Sequence, residues 1–225
     1  MTRILHLETA TKVCSVAISE NGKLIDFTDT NDDAFTHGEE LTVFIDELLL
    51  RNNMKATDLQ AVSVSAGPGS YTGLRIGVST AKGICYALNI PLIAVDSLLS
   101  MVEMAREKHP LAAVCPMIDA RRMEVFSLIY NLKSNTILKP SSADVLDAQT
   151  YAEYEPFVCF GDGASKLVEL WKLRSVQFDS TILPSARGQV QIAFSKFQAN
   201  DIEDLAYFEP AYLKEFYQAP VSQKK

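Results

Sequence analysis

Short apolar runs separated by polar turns open the chain. Arg3-Ile4-Leu5-His6-Leu7-Glu8 predicts a strand, and Cys14 to Ser19 alternates enough to be a second. Asn21-Gly22 supplies a pair suited to positive φ in a tight hairpin turn, and Lys23 to Thr28 returns as a third strand. A polar loop from Asp29 to His37 precedes a predicted helix from Gly38 to Asn52, whose Glu39, Glu40 and Arg51 suit the helix dipole. Ala61 to Ser65 is then a strand, Gly67 to Gly73 a glycine-rich loop leading into a helix that ends near Leu88, Pro91 to Val95 a strand, and Ser97 to Lys108 a helix. That rhythm belongs to an α/β sheet with parallel strands.

His109-Pro110 breaks the pattern, and the opening then repeats. Val114 to Asp119 ends an apolar strand on a carboxylate as Ile4 to Glu8 does, and a shift of 111 residues places Glu8 on Asp119, Cys14 on Val125 and Ile18 on Ile129. Two copies of one hairpin-led α/β unit account for the length, which predicts two subdomains, 1–108 and 109–225. Further on, Phe157 to Phe160 reads as a strand into Gly161-Asp162-Gly163 and a helix ending near Leu173. Pro184 stands near the start of a last helix through Gln198, and the tail Ser222 to Lys225 is expected to fray.

Composition narrows the function classes. With 48% apolar and 22% charged residues, the 225-residue chain can bury a core. Its formal charge of -7 repels nucleic-acid backbones and anionic membrane surfaces, which argues against binding either unaided. Cys14, Cys85, Cys115 and Cys159 are scattered in apolar runs, as expected of reduced core thiols. Met1-Thr2-Arg3 leads into an apolar run too short for a signal-peptide core, so the expected location is the cytoplasm.

Two facing repeats, each with a strand, a carboxylate and a hairpin turn, describe the actin, sugar-kinase and heat-shock ATPase architecture (ASKHA, ribonuclease H-like). There the two turns grip nucleotide phosphates with backbone N–H groups, which requires small or hydroxyl residues after the acid. Glu8, Thr9 and Thr11 offer hydroxyls in the first copy, whereas Asp119-Ala120-Arg121-Arg122 puts bulky cations where a glycine is wanted. The loop carrying Gly67, Pro68, Gly69, Ser70, Thr72 and Gly73 is either an anion site at a helix N-terminus or a tight strand-to-helix corner with Thr72 as N-cap. It lacks the P-loop lysine and does not match G-x-G-x-x-G.

Ser65 to Gly77, including Arg75, resembles the signature of the bacterial TsaB (YeaZ) family of the actin-like superfold. Ile4 to Ala17, His37 to Leu49, Met117 to Phe126 and Pro210-Ala211-Tyr212-Leu213-Lys214 resemble it too, with Lys214 where arginine is more usual. The resemblance implies a partner role in making threonylcarbamoyladenosine beside the tRNA anticodon. A related TsaD subunit transfers the threonylcarbamoyl group, a TsaC-type protein makes the adenylate, and the ATPase TsaE associates with the TsaB–TsaD pair. The catalytic relative carries Asn-His-x-x-x-His after the strand corresponding to Pro91 to Val95, and its histidines hold a metal. Ser97 and Met101 stand there in this chain, and neither replaces imidazole well. The implied role is a non-catalytic subunit without metal or cofactor.

Helical wheels indicate where a partner would dock. In Gly38 to Asn52, Leu41, Phe44, Ile45, Leu48 and Leu49 form the core stripe, with Val43 and Leu50 opposite. In the helix after the glycine loop, Ile76, Thr80, Gly83 and Ala87 form a second row of mostly small residues. These faces are expected to meet a TsaD-like subunit, or a second copy of the chain when it is alone, with tRNA and a TsaE-like ATPase reached only through the complex. The competing readings are a weak ATPase or small-molecule kinase using Glu8, Thr9, Thr11 and Asp119, and a metallopeptidase.

Overall fold

The computed structural model describes residues 1–30, 37–110 and 112–214, with backbone alone for 37–39; the expected frayed tail and part of the loop before the first helix lie outside the described residues. The first half comprises β1 (Arg3–Glu8), β2 (Cys14–Glu20), β3 (Lys23–Thr30), α1 (His37–Arg51), β4 (Ala61–Ser65), α2 (Tyr71–Leu88), β5 (Leu92–Val95) and α3 (Ser97–Arg106). Strand alternation sorts β1: Leu5 and Leu7 join the core under α1 and α2, while Ile4 faces a second core on the other side of the sheet. β3 runs two residues beyond the predicted Thr28, bringing the expected loop residue Asp29 into the sheet.

The second half contains β6 (Ala113–Asp119), β7 (Glu124–Asn131), β8 (Thr136–Val145), β9 (Phe157–Phe160), β10 (Val176–Asp179) and α4 (Val190–Gln198). Its sheet order, β10-β9-β6-β7-β8, is the counterpart of β5-β4-β1-β2-β3. In both, an antiparallel hairpin is followed by two parallel strands, so the repeat read from the chemistry of Glu8 and Asp119 is a repeat of topology. Glu8 pairs with Ser15 and Asp119 with Val125, which makes the second turn one residue shorter.

Two expected helices differ. The segment after Gly163 forms a 3₁₀ turn over Ala164–Leu167 followed by further turns. Trp171 is buried there, its Nε1 donating to Asp147 O at 2.8 Å, and its ring stands edge-on to Tyr151 and Phe157 with Arg174 4.3 Å away. Leu167 and Trp171 are covered while Val168, Leu170 and Leu173 are exposed, so the segment needs only two anchors and no helical stripe. The last helix begins at Val190 rather than near Pro184, because a 3₁₀ turn over Ala186–Gln189 comes first.

The halves exchange helices. α3 packs into the core of the second sheet with Val114 and Ile118. The chain after Leu183 returns to the first sheet, where Ala193 of α4 meets Ile4, Ala61, Ile93 and Val95. Polar groups fix this return. Ser15 Oγ donates to Asp29 Oδ1 (2.6 Å) and accepts from Ala186 N (2.8 Å), Ser185 Oγ donates to the same carboxylate (2.9 Å), and Arg187 Nη2 reaches Asp29 Oδ2 at 3.0 Å.

Deeper in, Gln189 Nε2 donates to Leu7 O at 2.8 Å and its Oε1 accepts from Ser63 Oγ at 2.7 Å. Ser63 has one hydroxyl proton, so it accepts from His6 Nδ1–H (2.7 Å), and His6 Nε2 in turn accepts from Ser19 Oγ (2.7 Å). Complete burial holds the imidazole neutral and pushes its pKa down to about 3. Its contribution to stability is therefore complete above pH 6.5 and is lost as pH falls toward 3. Replacing Gln189 by Leu leaves the Ser63 hydroxyl proton and the Leu7 carbonyl without this partner; chemical denaturation is expected to show a loss of about 2–3 kcal/mol, and adding Ser63→Ala is expected to lower stability further, because it leaves the buried His6 Nδ1–H without an acceptor.

Candidate functional site

The glycine-rich loop at the C-terminal edge of β4 is built by close backbone approach. Gly67 has φ +100°, and a Cβ there would lie 2.4 Å from Ala211 O. Ala211 N donates to Ala66 O at 2.8 Å, and Ser70 N to Ala10 O at 2.6 Å. At Gly73 a Cβ would lie 2.1 Å from Thr9 O. The room left by these glycines is taken up by the chain's own carbonyls, the close backbone approach that a tight strand-to-helix corner requires. The N-cap of α2 is Ser70, whose Oγ accepts from Gly73 N at 3.3 Å; Thr72, the expected cap, lies exposed in the first turn.

The first acid turn has also turned inward, whereas the second stays at the surface. Glu8 and Thr9 are fully buried and Thr11 nearly so. Glu8 Oε1 accepts from Ala10 N at 2.7 Å, and Thr11 Oγ1 from Val13 N at 3.2 Å. Burial pushes the Glu8 carboxyl up to about 7 against the hydrogen bonds it accepts. In the second turn, Asp119 Oδ1 accepts from Arg121 N and from Lys166 Nζ, both at 2.5 Å, and Asp119 N donates to Asp162 Oδ1 at 3.0 Å. Arg121 and Arg122 both have positive φ, 72° and 51°, and their side chains are exposed. Glu8, Thr9 and Thr11 thus share one turn, and Asp119 and Arg121 share its counterpart in the other half.

A C-terminal strap links the two neighbourhoods. Tyr212 stacks on Tyr71 with ring centroids 5.0 Å apart, Arg75 lies 4.0 Å from the Tyr71 ring on the same cluster, and Arg75 Nε donates to Tyr212 OH at 3.3 Å. Two residues on, Lys214 Nζ pairs with the Glu124 carboxylate and reaches Ala120 O at 3.5 Å. Two stretches far apart in sequence, around Gly67 and around Pro210, are therefore one spatial unit. Tyr71 and Tyr212 escaped the sequence-based site assignment; their only signal was position within those two stretches.

Ser97 and Met101 are buried in α3. His6 is committed to two serines, and His109 Nε2 sits 2.9 Å from Asp179 Oδ2; the His37 side chain lies outside the described residues. Among the described residues no three His, Cys, Asp or Glu side chains gather as metal ligands, and no helix is long and apolar enough to cross a membrane.

The outer faces of α1 and α2 are open. Val43 is 50% and Leu50 78% exposed, Ala87 is exposed, and a Cβ added at Gly83 would meet nothing within 4 Å. Thr80 is half-buried, and Ile76 is half-buried against the core beneath the helices, less outward than expected. Between the helices runs a groove of about 400 Å³ with Leu5, Ile45 and Leu59 at its base and Asp46, Thr80 and Gly83 along it. Tyr86, outside both stripes of the helical wheel, is 82% exposed on α2.

The family model described as TsaD: tRNA N6-adenosine threonylcarbamoyltransferase matches residues 33–219. The chain is 28% identical over 223 residues to the tRNA threonylcarbamoyladenosine biosynthesis protein TsaB of Escherichia coli, covering 94% of each. It is 35% identical over 124 residues to the protein of that name in Haemophilus influenzae, covering 55% of this chain and 51% of the other. The crystal structure of a Pseudomonas aeruginosa protein described as similar to peptidase YEAZ superposes with a TM-score of 0.81 at 26% identity, covering 95% and 100%. Component A of Acidaminococcus fermentans (R)-2-hydroxyglutaryl-CoA dehydratase shares the fold at 9% identity, with a TM-score of 0.52 over 89% and 100% of the chains. The architecture is the duplicated, two-subdomain α/β fold of the actin-like proteins.

Tyr212→Ala removes the aromatic cap on Tyr71 and Arg75. It is expected to cost about 1 kcal/mol and to speed amide exchange of Ala211, with the His6–Gln189 region unchanged.

Proposed function

The chain belongs to the TsaD: tRNA N6-adenosine threonylcarbamoyltransferase family, among its TsaB (YeaZ) members, and from that premise we propose that it is a non-catalytic partner subunit of threonylcarbamoyl transfer to the adenosine beside the tRNA anticodon. The observation that carries the role is likeness to TsaB along nearly the whole chain. The absence of catalysis is supported by chemistry at the turns: carbonyls of Thr9 and Ala10 fill the space next to the glycines, and Asp119 is neutralised by Lys166. By the family resemblance, Ser97 and Met101 fall at the positions of the catalytic relative's two metal-binding histidines, and neither replaces imidazole well.

The docking surface we propose comprises Val43 and Leu50 of α1 with Ile76, Thr80, Gly83 and Ala87 of α2. Small residues at Gly83 and Ala87 let another helix approach closely, and exposed Val43 and Leu50 supply apolar area. A TsaD-like subunit occupies this surface in the cell, a second copy occupies it when the chain is alone, and a TsaE-like ATPase and tRNA join through the complex, in the cytoplasm. The halves 1–108 and 109–225 keep separate roles in this reading, with the partner helices on the first.

Gly83→Arg tests the surface. Since the site is open, the variant is expected to keep the wild-type unfolding midpoint while its affinity for the organism's TsaD-like protein falls at least about tenfold, or roughly 1.4 kcal/mol. Light scattering and calorimetry on the mixture read both effects; unchanged assembly would rule out this face. The isolated chain is expected to show no heat of binding on titration with ATP and magnesium, and to support tRNA modification only when the TsaD-like protein is added.

A further inference from the structure

Among the described residues, the buried side-chain oxygens that find no protein partner are Glu8 Oε2, Thr9 Oγ1, Ser97 Oγ and Ser100 Oγ. Glu8 and Thr9 end β1, and the two serines share the first turn of α3, which follows β5; all of them lie at the C-terminal edge of the first sheet. The 3₁₀ turn over Ala186–Gln189 joins the two groups. Gln189 Nε2 donates to Leu7 O, one residue before Glu8, and a Cβ on Gly188 would lie 2.7 Å from Ser100 Oγ. Orphaned buried oxygens are costly, and several along one sheet edge call for a shared remedy.

We propose that Glu8, Ser97 and Ser100 enclose a small hydrated site at the junction of the two halves, in which Glu8 binds one proton and acts as a neutral hydrogen-bond donor, so that its ionisation loosens the Ala186–Gln189 turn. A protonated carboxyl turns one orphan into a donor, and water bridges it to the serine hydroxyls, which both donate and accept. The Ala10 amide that donates to Glu8 Oε1 is uncharged, and so are the Ser65 and Gln189 side chains beside the carboxyl. Among the titratable and charged groups on the elements that pack in this half, His6 on β1 is neutral, Cys14 on β2 has its thiol pushed up to about 12 with Glu8 and Glu40 of α1 among the causes, Asp29 on β3 is paired with Arg187 of the 3₁₀ turn, and Asp96, itself raised by burial, caps α3.

The sign of the pH effect is distinctive. A carboxyl raised from 4.5 to about 7 holds its proton in the folded chain after the unfolded chain has released it, so its contribution to stability falls as pH rises across that window and is level above it. His6 acts in the opposite direction between 3 and 6.5 and is retained in Glu8→Gln, so the difference between wild type and variant isolates Glu8.

Carbon-detected NMR of glutamate-labelled chain reads the Glu8 carboxyl, identified by its loss in Glu8→Gln. The expected midpoint is close to neutrality, moving higher in Ser97→Ala, where one polar neighbour of the charge is gone. The wild-type unfolding temperature should fall by several degrees relative to Glu8→Gln as pH rises across the window, with faster amide exchange at residues 186–189. Should Glu8→Gln fail to fold, the resonance that Ser97→Ala displaces identifies the group. Titration of every glutamate in the ordinary carboxylate range, or no displacement by Ser97→Ala, overturns the proposal. So does a Glu8 carboxyl that stays ionised at pH 6 and shifts with potassium chloride, which would make the site a cation site.

Discussion

The structure depends on the return of the chain from the second sheet to the first, and Gln189 is where that return is fixed. Its amide ties the 3₁₀ turn to β1 through Leu7 O and to β4 through Ser63, and His6 extends the connection to Ser19 on β2. Every link is buried, so each hydrogen bond made also averts a desolvation cost. Hydrophobic contact alone would let α4 slide along the sheet; a chain of donors and acceptors with one consistent proton arrangement sets its register. Asp29 repeats the device at the sheet margin, gathering Ser15, Ser185 and Arg187.

Once that return is fixed, the cleft end of the molecule is committed to self-contact. The strap beyond α4 passes from Ala66, by Tyr71 and Arg75, to Glu124 in the opposite half. A glycine lets a backbone approach either a phosphate or another stretch of chain, and at Gly67, Gly69 and Gly73 it is this chain's own backbone that comes close. The same residue type serves either purpose because glycine contributes only the absence of a Cβ, and the neighbour decides what fills the space.

That ambiguity marks what was legible in the sequence. Strands β1 and β2, helix α2 and the repeat at Asp119 followed from alternation and turn chemistry, because their periodicity reflects which face is buried. Asp29 read as loop because a charged residue in an edge strand has no apolar partner to reveal it; its role depends on Ser185 and Arg187, more than 150 positions away. Gln189 was invisible for the same reason. Trp171 misled in the other direction: apolar residues around it suggested a helix, whereas one indole filling the space between Tyr151 and Phe157 made a helix unnecessary.

The asymmetry between the repeats bears on the proposed role. The second sheet is covered on one face by α3 and on the other by short turns anchored on Leu167 and Trp171, with no long helix between β9 and β10. The first sheet carries α1 and α2, of 15 and 18 residues, and each is broad enough to bury one stripe and still present another. The surface proposed for helix-on-helix association therefore falls on the first copy of the unit. Two sheets of one topology thus differ in what covers them: long helices lie on the first, where a stripe of each stays open, and short turns close the same side of the second.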